Sequence, residues 1–160
     1  FAYPGGPVID KLAQQGKAVY DLPEPKTQGR YDFSFSGLKS GVLQFIKRCE
    51  RKGQTFTQED LAASFQKAAL DEVFDRVKLV LEDHPEVKQF VVGGGVSANS
   101  GLRARVDELR QEYPDKTFTV PPMRCCTDNA AMIAVAGEIA AEQGRVADAR
   151  LTADPGWEIC

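Results

Sequence analysis

The first regular signal along the chain is Val8, Ile9, Leu12 and Ala13, apolar residues at helical spacing between Pro4-Gly5-Gly6-Pro7 and Gly16. This predicts a short helix, with Pro7 suited to its first position and Gly16 closing it. Residues 17–22 alternate enough to predict a short strand, and Pro23-Glu24-Pro25 reads as a loop. Tyr31-Asp32-Phe33-Ser34-Phe35-Ser36 alternates strictly, which predicts a half-buried strand with Tyr31, Phe33 and Phe35 on one face. Gly37 opens a helical stretch carrying Leu38, Val42, Phe45 and Ile46. The longest helix is predicted to start at Thr57, with Asp60 placed for an approximate capping box, and to stop at Pro85. Its expected buried stripe is Leu61, Phe65, Ala69, Val73, Val77, Val80 and Leu81.

Beyond Pro85 the pattern changes. Gln89-Phe90-Val91-Val92 is a β-rich run that ends in Gly93-Gly94-Gly95, and a helix marked by Leu102, Val106 and Leu109 follows. Thr117-Phe118-Thr119-Val120 predicts another strand, stopped by Pro121-Pro122. A last helix is predicted from near Thr127, carrying Ala131, Ile133, Ala134, Ala136, Ile139 and Ala140 before Gly144. The tail from Asp148 onward has no period. Two β-loop-α units in succession predict an α/β domain with parallel pairing around the glycine strand.

Composition narrows the class. At 160 residues, 42% apolar and 27% charged, the chain is of globular type with room for one ordinary domain. Twenty basic and 23 acidic residues give a net charge of −3, so no overall basic footprint points to nucleic acid, although a local patch stays open. No apolar run reaches the length of a membrane span. Cys49, Cys125, Cys126 and Cys160 form no C-x-x-C pair, which disfavours a zinc ribbon and suits a reducing cytoplasm. His84 is the only histidine, so the chain alone offers no two-histidine metal site; at a helix end it reads as a dipole-favoured cation. The opening Phe1-Ala2-Tyr3 has no initiator Met and no signal-peptide pattern, and reads as a chain cut inside a larger protein.

Four stretches carry candidate chemistry. In Gly93-Gly94-Gly95-Val96-Ser97-Ala98-Asn99, three residues without Cβ lead from a strand towards a helix start, which admits close approach of a phosphate or ribose. Asn99 is expected in the first helical turn, where its amide both donates and accepts. A tight packing turn explains the same spacing. The loop lacks the Lys-Ser/Thr of a Walker loop, and no acid follows the next strand as a dinucleotide fold requires. Cys125-Cys126-Thr127-Asp128-Asn129 follows the other strand, with Thr127 or Asp128 as an N-cap or Asp128 as a group facing a metal or phosphate. Asp10, near Gly6, is either an exposed helix-stabilising carboxylate or part of a site. Ser34, Ser36 and Gly37 read either as a solvated strand edge or as a phosphate-holding turn.

Taken in order, Tyr3-Pro-Gly-Gly-Pro, Phe33-Ser-Phe-Ser-Gly-Leu-Lys39, Gly93-Gly-Gly-Val-Ser-Ala-Asn99 and Cys126-Thr-Asp-Asn-Ala-Ala-Met-Ile-Ala134 resemble the C-terminal part of the TsaD family. These are the tRNA N6-adenosine threonylcarbamoyltransferases, formerly labelled O-sialoglycoprotein endopeptidase or glycoprotease. The resemblance implies the second lobe of an actin-like, Hsp70-like ATPase (ribonuclease H-like) fold, a mixed sheet with packed helices. Residues 1–160 would form this lobe, with a tail of uncertain structure over 145–160. It implies transfer of a threonylcarbamoyl group from threonylcarbamoyl-adenylate to the anticodon-adjacent adenosine of tRNAs reading ANN codons. Gly6, Asp10 and Asn99 resemble adenylate-contacting residues, with Gly94 and Gly95 lying along the adenosine. Asp128 resembles the aspartate that completes an iron or zinc site with two histidines absent from this chain, so the chain alone is expected to be inactive. TsaB-like and TsaE-like subunits are the implied protein partners, in the cytoplasm and without a membrane. A metalloprotease, as in the older label, and a non-catalytic nucleotide-binding scaffold are the alternatives.

Overall fold

A computed structural model describes residues 4–23, 27–153 and 156. Tyr3, the Glu24-Pro25 part of the predicted loop, Cys160 and much of the final tail lie outside the described residues. The elements are α1 (Gly5–Ala13), α2 (Ser36–Lys52), α3 (Gln58–Asp83), β1 (Gln89–Val91), α4 (Ser100–Glu112), β2 (Thr117–Thr119) and α5 (Ala130–Glu142). The chain divides into two units, Phe1–Cys126 and Thr127–Cys160.

The first unit is organised around α3. Thr57 caps it, its hydroxyl accepting from the Asp60 N–H at 3.1 Å. Only half of the expected capping box forms, because the Asp60 carboxylate turns to the Lys17 N–H at 2.8 Å. That bond, with a further one to Thr57, holds the Asp60 carboxyl below the usual carboxylate range. The buried residues of α3 are Leu61, Ala62, Ala63, Ser64, Glu72, Phe74 and Leu81; of the stripe expected only Leu61 and Leu81 are among them, and Phe65, Ala69, Val73, Val77 and Val80 are half-buried. The reason for the difference is that α1, α2 and α4 all pack on this one helix. One core joins Phe74 and Leu81 to Leu102, Val106 and Leu109 of α4 and Phe118 of β2. A second joins Leu61 to Phe45 and Cys49 of α2, with the Tyr20 ring tilted against Phe45 at a centroid distance of 4.7 Å. Each large apolar side chain so buried contributes roughly 1.5–3 kcal/mol.

The sheet is smaller than the expected mixed one. Among the described residues it is two parallel strands, with Phe90 opposite Phe118 and Val91 opposite Thr119. Parallel pairing around the glycine strand was the expectation, and α4 supplies the crossover. The two earlier strands do not form. Over residues 17–22 the backbone lies along α3, where the Tyr20 N–H donates to Ser64 Oγ at 3.1 Å and Lys17 N–H to Asp60, so side chains replace a ladder. Over residues 31–36, Asp32 is held in a turn by Gly29, Thr27 and Arg76. Phe33 and Phe35 do share a side, with ring centroids 5.6 Å apart, but they are 52% and 46% exposed. Helix α1 starts at Gly5, which puts Pro7 in the first turn rather than at its first position.

In the second unit, α5 is capped by Asn129, whose side chain accepts from the Met132 N–H at 3.2 Å. Neither Thr127 nor Asp128 is the cap, a correction of one residue or two that leaves Asp128 exposed. The helix closes at Gly144, which adopts φ 71°. No helix among the described residues is long and apolar enough to cross a membrane.

Candidate functional site

Because β1 and β2 run parallel, the glycine loop after β1 and the Pro121–Cys126 segment after β2 leave the same carboxyl edge of the sheet. Such edges are where open α/β sheets bind ligands. The glycine loop does not run straight into a helix. A 3-10 turn, Gly95–Ala98, intervenes, and Gly94 before it adopts φ 82°, ψ 176°, a region essentially limited to glycine. Fully buried Ser97 fixes the turn by donating its hydroxyl to the Gly94 carbonyl at 2.6 Å. A Cβ at Gly93, Gly94 or Gly95 would meet nothing within 4 Å, so the loop presents open backbone.

Asn99 lies one position outside α4 rather than in its first turn, and it is the N-cap: Oδ1 accepts from the Leu102 N–H at 2.8 Å. Its Nδ2 donates to Gln66 Oε1 at 2.7 Å and to Asp10 Oδ1 at 3.2 Å. The Asp10 carboxylate also takes the Ser100 N–H at 3.1 Å and the Ser100 hydroxyl at 2.7 Å. The fold has thus joined Asp10 of α1 to Asn99, 89 positions away. Asp10 is therefore more than an exposed carboxylate of its own helix, since it sits on the positive end of α4.

This placement bears on which chemistry the edge can accept. The first N–H of α4, which the sequence suggested as a phosphate cradle, is already taken by Asp10, and a phosphate there would face a like charge. Among the described residues Asp10 Oδ2 meets only the Ser100 N–H and a long contact from Gln14 at 3.5 Å, so it retains acceptor capacity. A hydroxyl donor suits this group and an anion does not. Gly6, one turn before Asp10 on α1, is exposed, with no atom within 4 Å of where a Cβ would stand.

Gln66 and Ser100, which hold the pair in place, were absent from the residues expected. Gln66 had one legible signal, a polar residue between Phe65 and the apolar positions that follow. Arg103 of α4 anchors the loop after β2, donating to the Pro121 carbonyl at 2.6 Å and lying 3.3 Å from the buried Cys126 sulfur. Asp128 belongs to the second unit. Among the described residues no cluster of three or more His, Cys, Asp and Glu could hold a metal ion. A lone carboxylate does not make an iron or zinc site, so this chain by itself does not fit the metal that the resemblance implies.

Comparison with known proteins gives a consistent picture. The family model described as TsaD, tRNA N6-adenosine threonylcarbamoyltransferase, matches residues 1–135, a span that includes Gly6, Asp10, Gly94, Gly95, Asn99 and Asp128. Three similar curated proteins carry that same name. One from Anoxybacillus flavithermus is 46% identical over 154 residues, covering 96% of this chain and 45% of its own. One from Bacillus cereus is 47% identical over 161 residues, covering 98% and 46%. One from Geobacillus kaustophilus is 45% identical over 158 residues, again covering 98% and 46%. The chain spans about half the length of these relatives.

Proposed function

The chain belongs to the TsaD family, and from that premise we propose that it is the adenylate-binding part of a tRNA N6-adenosine threonylcarbamoyltransferase. Its place in such an enzyme is the second lobe of an actin-like fold. The donor is threonylcarbamoyl-adenylate, and the acceptor is N6 of the adenosine beside the anticodon in tRNAs reading ANN codons. In the transfer, N6 bonds to the carbamoyl carbon, the bond from that carbon to the phosphate oxygen breaks, adenosine monophosphate leaves, and N6 loses a proton. TsaB-like and TsaE-like subunits are its proposed partners.

The observation that carries this reading is the Asp10–Asn99 pair beside the open glycine loop. In the reading, ribose hydroxyls donate to Asp10, the Asn99 amide orients that carboxylate by donating to it, and the adenosine lies against Gly94 and Gly95, with Gly6 admitting it on the α1 side. A neutral, hydroxyl-bearing group next to a carboxylate avoids the repulsion a phosphate would meet there. These residues position the adenylate; none of them is needed as a proton acceptor, and their contribution is orientation of the reacting ends. Asp128 is proposed as one metal ligand of the complete enzyme, and no step here runs through a metal.

The test is Asp10→Asn in a full-length protein carrying this chain. The substitution keeps the shape and removes the charge that strengthens a hydroxyl hydrogen bond. Charge-assisted bonds are worth about 1.5–3 kcal/mol, so adenosine monophosphate affinity should fall roughly tenfold to a hundredfold. tRNA modification with supplied threonylcarbamoyl-adenylate should fall with it. A folded Asp10→Asn protein with unchanged affinity and activity would remove the site.

A further inference from the structure

Helix α2 stands apart in its charge. It carries Lys39, Lys47, Arg48, Arg51 and Lys52 against the single carboxylate of Glu50, in a chain whose net charge is −3. Its inner face is buried through Leu38, Gly41, Phe45 and Cys49, and all five cations are exposed. On α3 and α4 every cation but Arg103, which bonds the Pro121 carbonyl, is paired with a carboxylate: Lys67 with Asp71, Arg76 with Glu72, Lys78 with Glu112, Arg105 with Asp71 and Glu108, and Arg110 with Asp107. None of the α2 cations has a salt bridge among the described residues.

The spacing makes this arrangement unfavourable for the helix alone. Lys47 with Arg51, and Arg48 with Lys52, are two like-charged pairs at i,i+4, each destabilising by about 0.2–0.5 kcal/mol. The helix dipole offsets Arg51 and Lys52 in the last turn but not Lys47 and Arg48 a turn earlier. Contacts within the chain offset part of this but neutralise none of the charge. The Arg48 guanidinium lies over the Phe45 ring at 5.5 Å, and Arg51 Nε reaches the Lys47 carbonyl at 3.4 Å. An open groove of about 910 Å³ runs beside them, with an apolar part that includes Leu22 and Phe45 and a charged part where Lys47, Arg48 and Arg51 outnumber Asp21 and Glu50.

Four unpaired cations at the end of a rigid helix, next to a groove, have the form of a polyanion contact rather than of a stability device. We propose that the C-terminal half of α2 is the surface on which the sugar-phosphate backbone of the substrate tRNA lies, with Lys47, Arg48, Arg51 and Lys52 each facing a phosphate. The choice of RNA as the polyanion rests on the transferase reading above. The surface itself rests on the charge pattern. These residues bind and orient the acceptor RNA and take no part in the chemistry at N6.

The experiment measures binding of an unmodified tRNA transcript to a full-length protein carrying this chain, as a function of salt. Each phosphate neutralised contributes about 0.7–0.9 to the slope of log affinity against log salt. The variant Lys47→Gln, Arg48→Gln, Arg51→Gln, Lys52→Gln keeps helix-forming side chains and should lower that slope by about 3. Between about 50 and about 200 mM salt the wild type would then lose roughly 60-fold more affinity than the variant. A control with the same charge change elsewhere, Lys11→Gln, Lys17→Gln, Lys88→Gln, Arg145→Gln, should leave the slope within about one unit of wild type. Should the fourfold variant not fold, Lys47→Gln and Arg51→Gln singly should each lower the slope by about 0.7–0.9. An unchanged slope in the α2 variants, or an equal fall in the control, overturns the proposal. So does α2-dependent binding of polyglutamate or of phosphatidylserine vesicles by a wild type that does not bind tRNA. Adenosine monophosphate affinity separates the two readings. The α2 variant should retain it, and a wild type that binds tRNA through α2 but shows no adenylate binding would refute the transferase site and leave this surface standing.

Discussion

Replacing Asn99 with alanine removes two things at once, and the structure says how to separate them. The side-chain oxygen caps α4 through Leu102, and the amide nitrogen ties the cap to Gln66 and Asp10. Losing an Asn cap costs about 0.5–2 kcal/mol, typically ~1. Losing the bond to Gln66 costs about 0.5–1.5 kcal/mol, and the longer, partly solvated bond to Asp10 adds little. Asn99→Ala should therefore destabilise the first unit by about 2 kcal/mol, or roughly 4–8 °C in melting temperature for a domain of this size. Asn99→Ser keeps a capping oxygen and loses only the amide donor, so about half of that loss is expected. Urea titration followed by far-UV circular dichroism gives the totals, and amide exchange at Leu102 reports the cap locally. Leu102 should exchange faster in Asn99→Ala and near wild type in Asn99→Ser. In a full-length protein the serine variant should still lose about threefold to tenfold in adenosine monophosphate affinity, because Asp10 loses the amide that orients it. Equal stability losses in the two variants, or unchanged Leu102 exchange in Asn99→Ala, would refute the division of roles.

Gly94→Ala should cost about 1–3 kcal/mol by urea midpoint through backbone strain alone, whereas Gly93→Ala and Gly95→Ala, without a positive φ, should each cost less than about 1. Gly16→Ala would drive a methyl into the Glu59 carbonyl and should destabilise by about 1–3 kcal/mol, while Gly137→Ala, with open space, should be neutral or stabilising. Hydrogen bonds from Arg30 and then Tyr31 hold the Asp83 carboxyl down to about 2, so its contribution is present above the usual carboxylate range near ~4 and is lost as pH falls from there to about 2. Acid titration should release the Arg30–Tyr31 segment from the end of α3 in that window, with no such step in Asp83→Asn. The 160-residue chain should bind Zn²⁺ weakly and Asp128→Ala should not change this, whereas Asp128→Ala in a full-length protein should weaken metal binding; tight stoichiometric zinc in the short chain would sink Asp128 as a lone ligand.

Helices whose signals are local were legible in the sequence. Thr57 caps α3, and Leu102, Val106 and Leu109 are the buried face of α4, because a cap and a 3.6-residue period are set within one or two turns. The parallel pair β1–β2 was legible for the same reason, with a β-loop-α repeat leaving little other topology. Alternation in residues 17–22 and 31–36 was real but insufficient, since a strand exists only where a neighbour completes its ladder. Here Asp60, Ser64, Thr27 and Arg76 satisfy that backbone instead. Which sides of α3 are buried also escaped the pattern, because three helices share it and one stripe cannot describe three contacts.

The candidate site divides in the same way. The sequence alone marked Asp10, Gly94 and Asn99, since a glycine run after a strand and polar groups at helix starts are chemical signals in their own right. Only the tertiary structure brought Asp10 onto the α4 N-terminus across 90 positions. That contact decides that the helix end is filled by a carboxylate and favours a hydroxyl over a phosphate, because like charges do not share one helix terminus and no local pattern encodes so distant a neighbour.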